Sequence, residues 1–230
     1  HLERKMDINL KMPEYDENTG RYMYSRVKRN LEFGKIVQFT DDAEAEYYAV
    51  NVKINKRFSD NYQFMASYTW SQSFDHSTAG NSTETYGYEW PEDVYNLGAE
   101  WAYSDVDVRH NFVISGLYEF NDLLNLPDWY SMELSGIFVW RSGQPWTPAA
   151  NGDRNRDGYS RNDRPRHENE DGTFTELGRN SERQPGYKKF DLRLSNSFYV
   201  NDVELELIVE AFNVFNWDNR YVYSSDMEYN

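Results

Sequence analysis

The polar segment 153–158 has the spacing of side-chain oxygens that can wrap a calcium ion. It fits the pattern D-x-N-x-D-G, in which oxygen ligands alternate along the chain before a glycine turn. The last position of an EF-hand loop would fall on Arg164, where that loop needs an acidic residue. A loop held by side-chain-to-backbone hydrogen bonds is the alternative. The candidate calcium ligands are Asp153, Asn155, Asp157 and Asp163.

A second group of residues could bind a ligand through aromatic rings. The segment 86–91, within a long polar stretch, is rich in rings, and another ring follows at 146. Flat rings stack on sugars or hold peptides, but they also pack one loop against another. The candidate ligand-binding residues are Tyr86, Tyr88, Trp90 and Trp146.

Catalysis and nucleic-acid binding find no support in the sequence. The four histidines are scattered, and the chain has neither a G-x-S-x-G nor an H-E-x-x-H motif. We therefore expect no enzyme. The formal net charge of −15 disfavours nucleic acid, because phosphates are bound by Lys and Arg.

The composition narrows the class of protein further. Aromatic residues make up 17% of the chain, too many for an acidic disordered protein. No apolar run approaches the roughly 20 residues that a membrane helix needs. A mean hydropathy of −0.91 still allows a membrane barrel, because its strands alternate apolar and polar residues.

Alternation with a period of two residues dominates the chain. Between Tyr62 and Trp70 every second residue is apolar or aromatic, which predicts a β-strand with one apolar face. Segment 33–39 could form a strand as well, but we place it in a loop so that short and long connections alternate. The seven predicted strands cover 6–12, 48–55, 62–71, 112–120, 132–140, 190–195 and 203–211.

The connections and strand lengths predict an all-β fold, an antiparallel transmembrane β-barrel segment. Short and long connections alternate, as do the short periplasmic turns and long extracellular loops of outer-membrane barrels. Strands of about 12–14 residues, tilted by about 45°, would span a bilayer core. A soluble β-sandwich with the apolar stripe turned inward is the alternative. The short connections are 59–61, 121–128 and 199–202, and the long ones are 13–46, 75–105 and 143–186.

The pairing of neighbouring strands can be predicted from their stripes. In the first hairpin, apolar residues share one face if Ile54 lies opposite Ala66. In the last hairpin, a pairing of Phe198 with Val203 would put Leu194 opposite Leu207. The residues expected on the opposite, lumen-facing side are Asp191, Arg193, Glu204, Glu206 and Glu210, with Arg193 in ion-pair reach of Glu206 and Glu210.

Several segments resemble, in the same order, the barrel of Oar-like TonB-dependent receptors. Together they extend over about residues 45–217, and the match before residue 45 is loose. The ordered set is more specific than any one of its members. The segments are KRFS at 56–59, ASYTWS at 66–71, DVRHNF at 107–112, LSG at 134–136, SGQPWT at 142–147, GRNS at 178–181, DLRL at 191–194 and EAFNVFN at 210–216.

This resemblance implies an outer-membrane transporter of a Gram-negative bacterium. Such receptors have about 22 strands around an N-terminal plug domain, so residues 1–230 would be a partial barrel domain without the plug and closing strands. The implied partners are the TonB complex, through the plug, outer-membrane lipid, and an extracellular cargo: peptide, protein, glycan or metal chelate. A passive or adhesin-type barrel without energy coupling is the alternative function.

Overall fold

The computed structural model describes residues 2–76, 90–160 and 162–221. Within these ranges the chain is mostly antiparallel β-structure, with a 3-10 turn at Leu97–Glu100 and a four-residue helix α1 (Asn121–Leu124). No helix in the described part of the chain is long and apolar enough to cross a membrane. The strands are β1 (Leu2–Asp7), β2 (Glu14–Asp16), β3 (Arg21–Met23), β4 (Val37–Ala43), β5 (Ala45–Ser59), β6 (Tyr62–Asp75), β7 (Ala102–Tyr103), β8 (His110–Glu119), β9 (Tyr130–Arg141), β10 (Pro145–Trp146), β11 (Arg166–Glu168), β12 (Phe174–Glu176), β13 (Glu182–Arg183), β14 (Tyr187–Val200) and β15 (Val203–Ala211).

One antiparallel sheet of seven strands organises the molecule. Six long strands follow the order β5-β6-β8-β9-β14-β15, and the two-residue strand β7 pairs with the end of β6. The longest strand, β5, has 15 residues, and β6 and β14 have 14 each, which is enough to cross a bilayer core when tilted. In the described structure the sheet is open, with β5 and β15 as its outer strands. The predicted all-β antiparallel fold is confirmed.

The register gathers the apolar residues of all six long strands on one face. In one row across the sheet, Ile54, Ala66, Ile114, Phe138 and Phe190 are successive neighbours. Ile54 is 57% exposed, because the described structure packs no second layer over it. An apolar face of this extent on six long strands is typical of contact with lipid.

Aromatic rings lie at both ends of this apolar face. At the end that carries the long connections, His110 stacks between Tyr68 and Trp140, with ring centroids 6.1 and 5.8 Å away. At the end that carries the short connections, Tyr130 and Phe198 are 5.0 Å apart. Two belts of rings on either side of an apolar band match the aromatic girdles at the two interfaces of a membrane.

Tight turns close two hairpins at the end of the sheet that carries the short connections. Asp60 and Asn61 connect β5 to β6 with φ angles of 54° and 68°, the left-handed conformation that suits a two-residue hairpin turn. Asn201, with φ of 55°, has the same role between β14 and β15. Helix α1 lies in the connection between β8 and β9. The predicted short connections are therefore confirmed.

The predicted strand at 6–12 is wrong in its position. Strand β1 ends at Asp7, whose Oδ1 accepts hydrogen bonds from the backbone N–H of Asn9 (2.9 Å) and Ile36 (3.1 Å) and so turns the chain. Its partner is β4, which overlaps segment 33–39 and lies within the predicted connection 13–46. The β1–β4 pair is a separate two-stranded sheet, and only Glu44 separates β4 from β5 along the chain.

The predicted registers differ in accuracy. Ile54 does lie opposite Ala66, as expected for the first hairpin. In the last hairpin, Leu194 lies opposite Val209 rather than Leu207, because the turn consists of two residues and begins two positions later than predicted. A shift of two residues leaves each side chain on its predicted face, whereas a shift of one would reverse the faces.

Candidate functional site

The long connections fold over one end of the sheet. We call their described parts, residues 8–44, 90–109, 142–160 and 162–186, the loop cap. The cap has few buried apolar side chains, among them Leu10 and Tyr24, each 2% exposed. Many of its buried side chains are instead charged or polar, so its packing depends on ion pairs and hydrogen bonds.

Two arginines connect three carboxylates in the middle of the loop cap. Arg164, which is 3% exposed, forms a close ion pair with Glu100, and its Nη1 lies 3.2 Å from Oε1 of Glu176. Arg166 lies 2.7 Å from Glu92 through Nη1 and 2.7 Å from Glu176 through Nη2. The carboxylates come from two different long connections, so the network joins those connections.

A third arginine brings the first long connection into this network. Arg21 Nη1 lies 3.0 Å from Glu92 and 3.4 Å from Asp163, and its Nη2 donates to the backbone carbonyl of Arg164 at 2.5 Å. Burial raises the pKa of Glu92 to about 7, despite the attraction of Arg166 and Arg164. Burial also raises the pKa of Asp163 to about 7. The ionisation of the cap is therefore sensitive to pH near neutrality.

The four candidate calcium ligands lie in one turn of the loop cap. All four accept hydrogen bonds from backbone N–H groups, the arrangement of a loop held by its own side chains. Among the described residues, no three His, Cys, Asp or Glu side chains form a group that could hold a metal ion. Calcium binding stays a prediction. The bonds are Gly158 to Asp153 (3.2 Å), Asp157 to Asn155 (2.9 Å), Tyr159 to Asp157 (2.7 Å), and Arg154 and Asn155 to Asp163 (2.8 and 3.0 Å).

Two of the four predicted ligand-binding rings, Trp90 and Trp146, belong to the described residues, and each packs in a different place. Trp90 is 8% exposed and stacks on Tyr159 with centroids 4.5 Å apart, so it packs two connections together. Trp146 is half-buried in β10, opposite Glu182 of β13. Tyr86 and Tyr88 lie outside the described residues.

A cavity of about 500 Å³, which we call the ring pocket, lies at the boundary between the sheet and the loop cap. Aromatic side chains form one wall, where Phe74 stacks on Tyr103 with centroids 4.6 Å apart and on Trp101 at 6.1 Å. Polar side chains form the other wall. The lining residues are Phe74, Trp101, Ala102, Tyr103, Arg179, Asn180, Ser181 and Arg183.

The two arginines of the ring pocket are already paired with carboxylates. Arg179 Nη2 lies 2.6 Å from Oδ1 of Asp75, and its Nη1 donates to the backbone carbonyl of Asp75 at 2.8 Å. Arg183 forms a close ion pair with the buried Asp107. Their positive charge is thus largely compensated, although their remaining N–H groups can donate.

The sequence contains only weak signals for the ring pocket. Phe74 continues the alternation of β6 beyond its predicted end, and Trp101 and Tyr103 are spaced as neighbours on one face of a strand. Arg179 belongs to the GRNS segment quoted above. Nothing in the local spacing connects these segments, because β7 meets β6 only in the folded sheet.

The charged residues predicted for β14 and β15 do lie on the face opposite the apolar band, although β8 and β9 also place Val113, Leu117 and Ile137 on that face. Arg193 lies directly opposite Glu210 across the β14–β15 pair, and its Nη2 is 3.5 Å from Glu206. Lys189 Nζ lies 2.6 Å from Asp191. Such partly exposed pairs contribute little to stability, so this part of the face is suited to water or to another polar surface.

Comparison with protein families gives the class of the protein. A model of the outer membrane beta barrel domain matches residues 1–222, and the chain belongs to that family. The comparisons with curated proteins and with solved structures give no match. The protein is therefore located in the outer membrane of Gram-negative bacteria, with its apolar face toward lipid. The short turns lie on the periplasmic side, and the loop cap and the ring pocket on the extracellular side.

Proposed function

We propose that the chain is one sector of a TonB-dependent transporter that binds its cargo with extracellular loops. The observation that carries the proposal is the loop cap, in which Arg21, Glu92 and Arg164 fix three long connections together. Connections held by buried ion pairs form a preorganised surface, and preorganisation lowers the entropic cost of binding a ligand.

Segments that resemble Oar-like receptors contribute directly to this surface. Arg179, in GRNS, joins the end of β6 to the loop cap through Asp75. Asp107, in DVRHNF, pairs with Arg183 and accepts a hydrogen bond from the N–H of Ser73 at 2.7 Å. The resemblance therefore concerns residues that position the extracellular loops, and not only residues of the barrel wall.

The proposal places a plug domain, outside this chain, against the face of the sheet opposite the apolar band. Three serines, Ser67, Ser115 and Ser135, lie in the central rows of that face, each beside an apolar residue: Val113, Ile137 and Leu117 in turn. They leave room for a second surface and supply hydroxyl groups to it. In a barrel of about 22 strands the plug fills the lumen, and TonB supplies the energy that moves it.

Binding to TonB tests this proposal independently of the cargo. The full-length protein, purified from outer membranes in detergent, is mixed with the purified periplasmic domain of TonB from the same bacterium. We expect a complex that an excess of a peptide copying the protein's TonB-contacting segment displaces. A full-length protein that has no plug, or that does not bind TonB, would refute energy coupling and leave the passive or adhesin-type barrel.

A further inference from the structure

The aromatic wall of the ring pocket lies on the apolar, lipid-facing side of the sheet. Phe74 is on the same face of β6 as Tyr68, which belongs to the extracellular belt of rings. It lies four residues beyond Trp70, where β8 stops pairing with β6 and β7 takes its place. The pocket is therefore above the lipid core, at the level where loops, membrane surface and extracellular solvent meet.

The aromatic wall of the pocket presents a flat platform. Trp101 is 36% exposed and is held by Phe74 on one side and by His76, whose ring centroid is 4.8 Å away, on another. Tyr103 is fixed in turn by the guanidinium groups of Arg109 and Arg183, 4.7 and 5.1 Å from its ring centroid. A rigid, accessible ring surface of this kind suits the C–H face of a sugar ring.

The polar wall supplies hydrogen-bond donors without a strong charge. Arg179 uses three of its five N–H bonds on Asp75 and on the carbonyl of Glu100, and its Nη2 also lies 3.9 Å from Asp105. Its Nε–H takes no part in these contacts and can donate to a ligand. Ser181 is exposed beside it. Three arginines at the pocket, Arg109, Arg179 and Arg183, are matched by three carboxylates, those of Asp75, Asp105 and Asp107. The pocket therefore offers an anion little net attraction, whereas hydroxyl groups can accept from its donors.

From this combination we propose that the ring pocket binds an uncharged saccharide. One sugar ring stacks on Trp101, and its hydroxyl oxygens accept hydrogen bonds from Arg179 and Ser181. The volume of about 500 Å³ lies within the range of about 300–1,000 Å³ common for small-ligand sites. The saccharide is either a free oligosaccharide or the sugar part of a glycolipid in the surrounding membrane. Its role as cargo rests on the proposed function.

Direct binding measurements on the full-length protein in detergent test the site. The probes are maltohexaose, cellohexaose and chitohexaose as free oligosaccharides, and purified lipopolysaccharide of the same bacterium as the glycolipid, each titrated by calorimetry. Trp101→Ala removes the platform, whereas Trp101→Phe keeps a flat ring. Tyr15→Ala is the matched control, because Tyr15 is a 53% exposed ring of the loop cap that does not line the pocket.

We expect at least one probe to bind the unmodified protein, with affinity reduced about tenfold or more by Trp101→Ala. Trp101→Phe should keep most of the affinity, and Tyr15→Ala should not change it. Binding of a free hexasaccharide would assign the pocket to cargo, and binding of lipopolysaccharide alone would assign it to the membrane. Unchanged heat-dependent mobility on gels confirms that each variant is folded.

Two results would overturn the site: no binding of any probe to the unmodified protein, or equal affinity for the unmodified protein and folded Trp101→Ala. The saccharide titrations do not involve TonB, so the site and the transport function are tested separately. If the protein binds a saccharide through Trp101 but does not bind TonB, the transport function is refuted and the site is retained. If it binds TonB but no saccharide, the site is refuted and the transport function is retained.

Discussion

Replacing Arg164 by methionine tests whether buried charges hold the loop cap together. Methionine preserves much of the volume of the side chain and removes its charge. Arg164 is 3% exposed and Glu100 is 5% exposed, so neither charge is well solvated. Without the arginine, the Glu100 carboxylate keeps one hydrogen bond, from the N–H of Glu92 to its Oε1 at 3.1 Å.

The expected loss follows from the uncompensated charge of Glu100. Removing one partner of a buried ion pair destabilises a protein by about 3–5 kcal/mol. The second partner of Arg164 adds little, because the side chain of Glu176 is 34% exposed and is also paired with Arg166. We therefore expect Arg164→Met to destabilise the cap by about 3–5 kcal/mol, which reduces amide protection by about a hundredfold to a few thousandfold.

Hydrogen exchange followed by mass spectrometry measures this loss in the full-length protein. The amide of Asn155, which donates to Asp163 at 3.0 Å, is a reporter inside the cap. In the double variant Arg164→Met/Glu100→Gln both charges are absent, and glutamine keeps the acceptor for Glu92. Most of the protection should return, because an uncharged buried pair needs no compensation.

Two outcomes would contradict the reasoning. Unchanged exchange in Arg164→Met would show that the ion pairs do not hold the cap, and equal exchange in the single and double variants would show that lost packing, not an orphaned charge, causes the loss. Arg220→Met is the control. Its pair with Asp218 has side chains 78% and 62% exposed, and loss of such a pair changes stability by no more than about 1 kcal/mol.

Three further predictions concern the backbone, the membrane and pH. Gly143→Ala should destabilise the cap by about 2 kcal/mol or more in amide hydrogen exchange, because a Cβ there would lie 1.7 Å from the carbonyl oxygen of Gln184. Gly178→Ala is the control: its Cβ would meet open space, so its amide exchange rates should equal those of the unmodified protein. Ile114→Arg should reduce stability in lipid vesicles by about 2–4 kcal/mol in urea titrations, and Ser115→Arg, on the opposite face, by clearly less; equal effects would refute the assignment of the faces. Because burial raises the pKa of Glu92 and Asp163 to about 7, the folded cap binds more protons than the unfolded cap between about pH 4 and 7. The stability of the cap should therefore fall as the pH rises through that range. Amide hydrogen exchange, corrected for the intrinsic exchange rates at each pH, measures this stability, and a stability that increased with pH would contradict the raised pKa values.

The alternation of residues was enough to predict the sheet and its faces. In β6 and β8 each side chain has one of two orientations, so a stripe such as that from Tyr62 to Trp70 leaves little freedom. The sequence determines the register of strand pairing less well, because a shift by two residues keeps the same side chains on the apolar face. The pairing of Leu194 with Val209 therefore depended on where the turn begins. Strand β1 was misplaced because the bonds of Asp7 to distant backbone groups decide where it ends.

The loop cap could not be predicted from local spacing. Arg21 and Arg164 are separated by 143 positions, and Arg164 and Glu100 by 64. In a chain with 39 acidic and 24 basic residues, many such pairs are possible, and the sequence does not rank them. Alternating patterns describe one element at a time, whereas an ion pair between connections depends on how several elements are brought together. The stacking of Trp90, one of the candidate rings, on Tyr159 could not be predicted from spacing for the same reason.

Glu100 connects the ion-pair network to the ring pocket. Glu100 pairs with Arg164 through its side chain, while its backbone carbonyl accepts a hydrogen bond from Arg179 at 3.1 Å. Trp101, the platform of the pocket, is the next residue. The position of that ring therefore depends on buried charges outside the pocket. The membrane-facing strands of this protein can be predicted from a simple alternation of residues. Its extracellular surface is instead shaped by irregular connections that buried ion pairs hold in place.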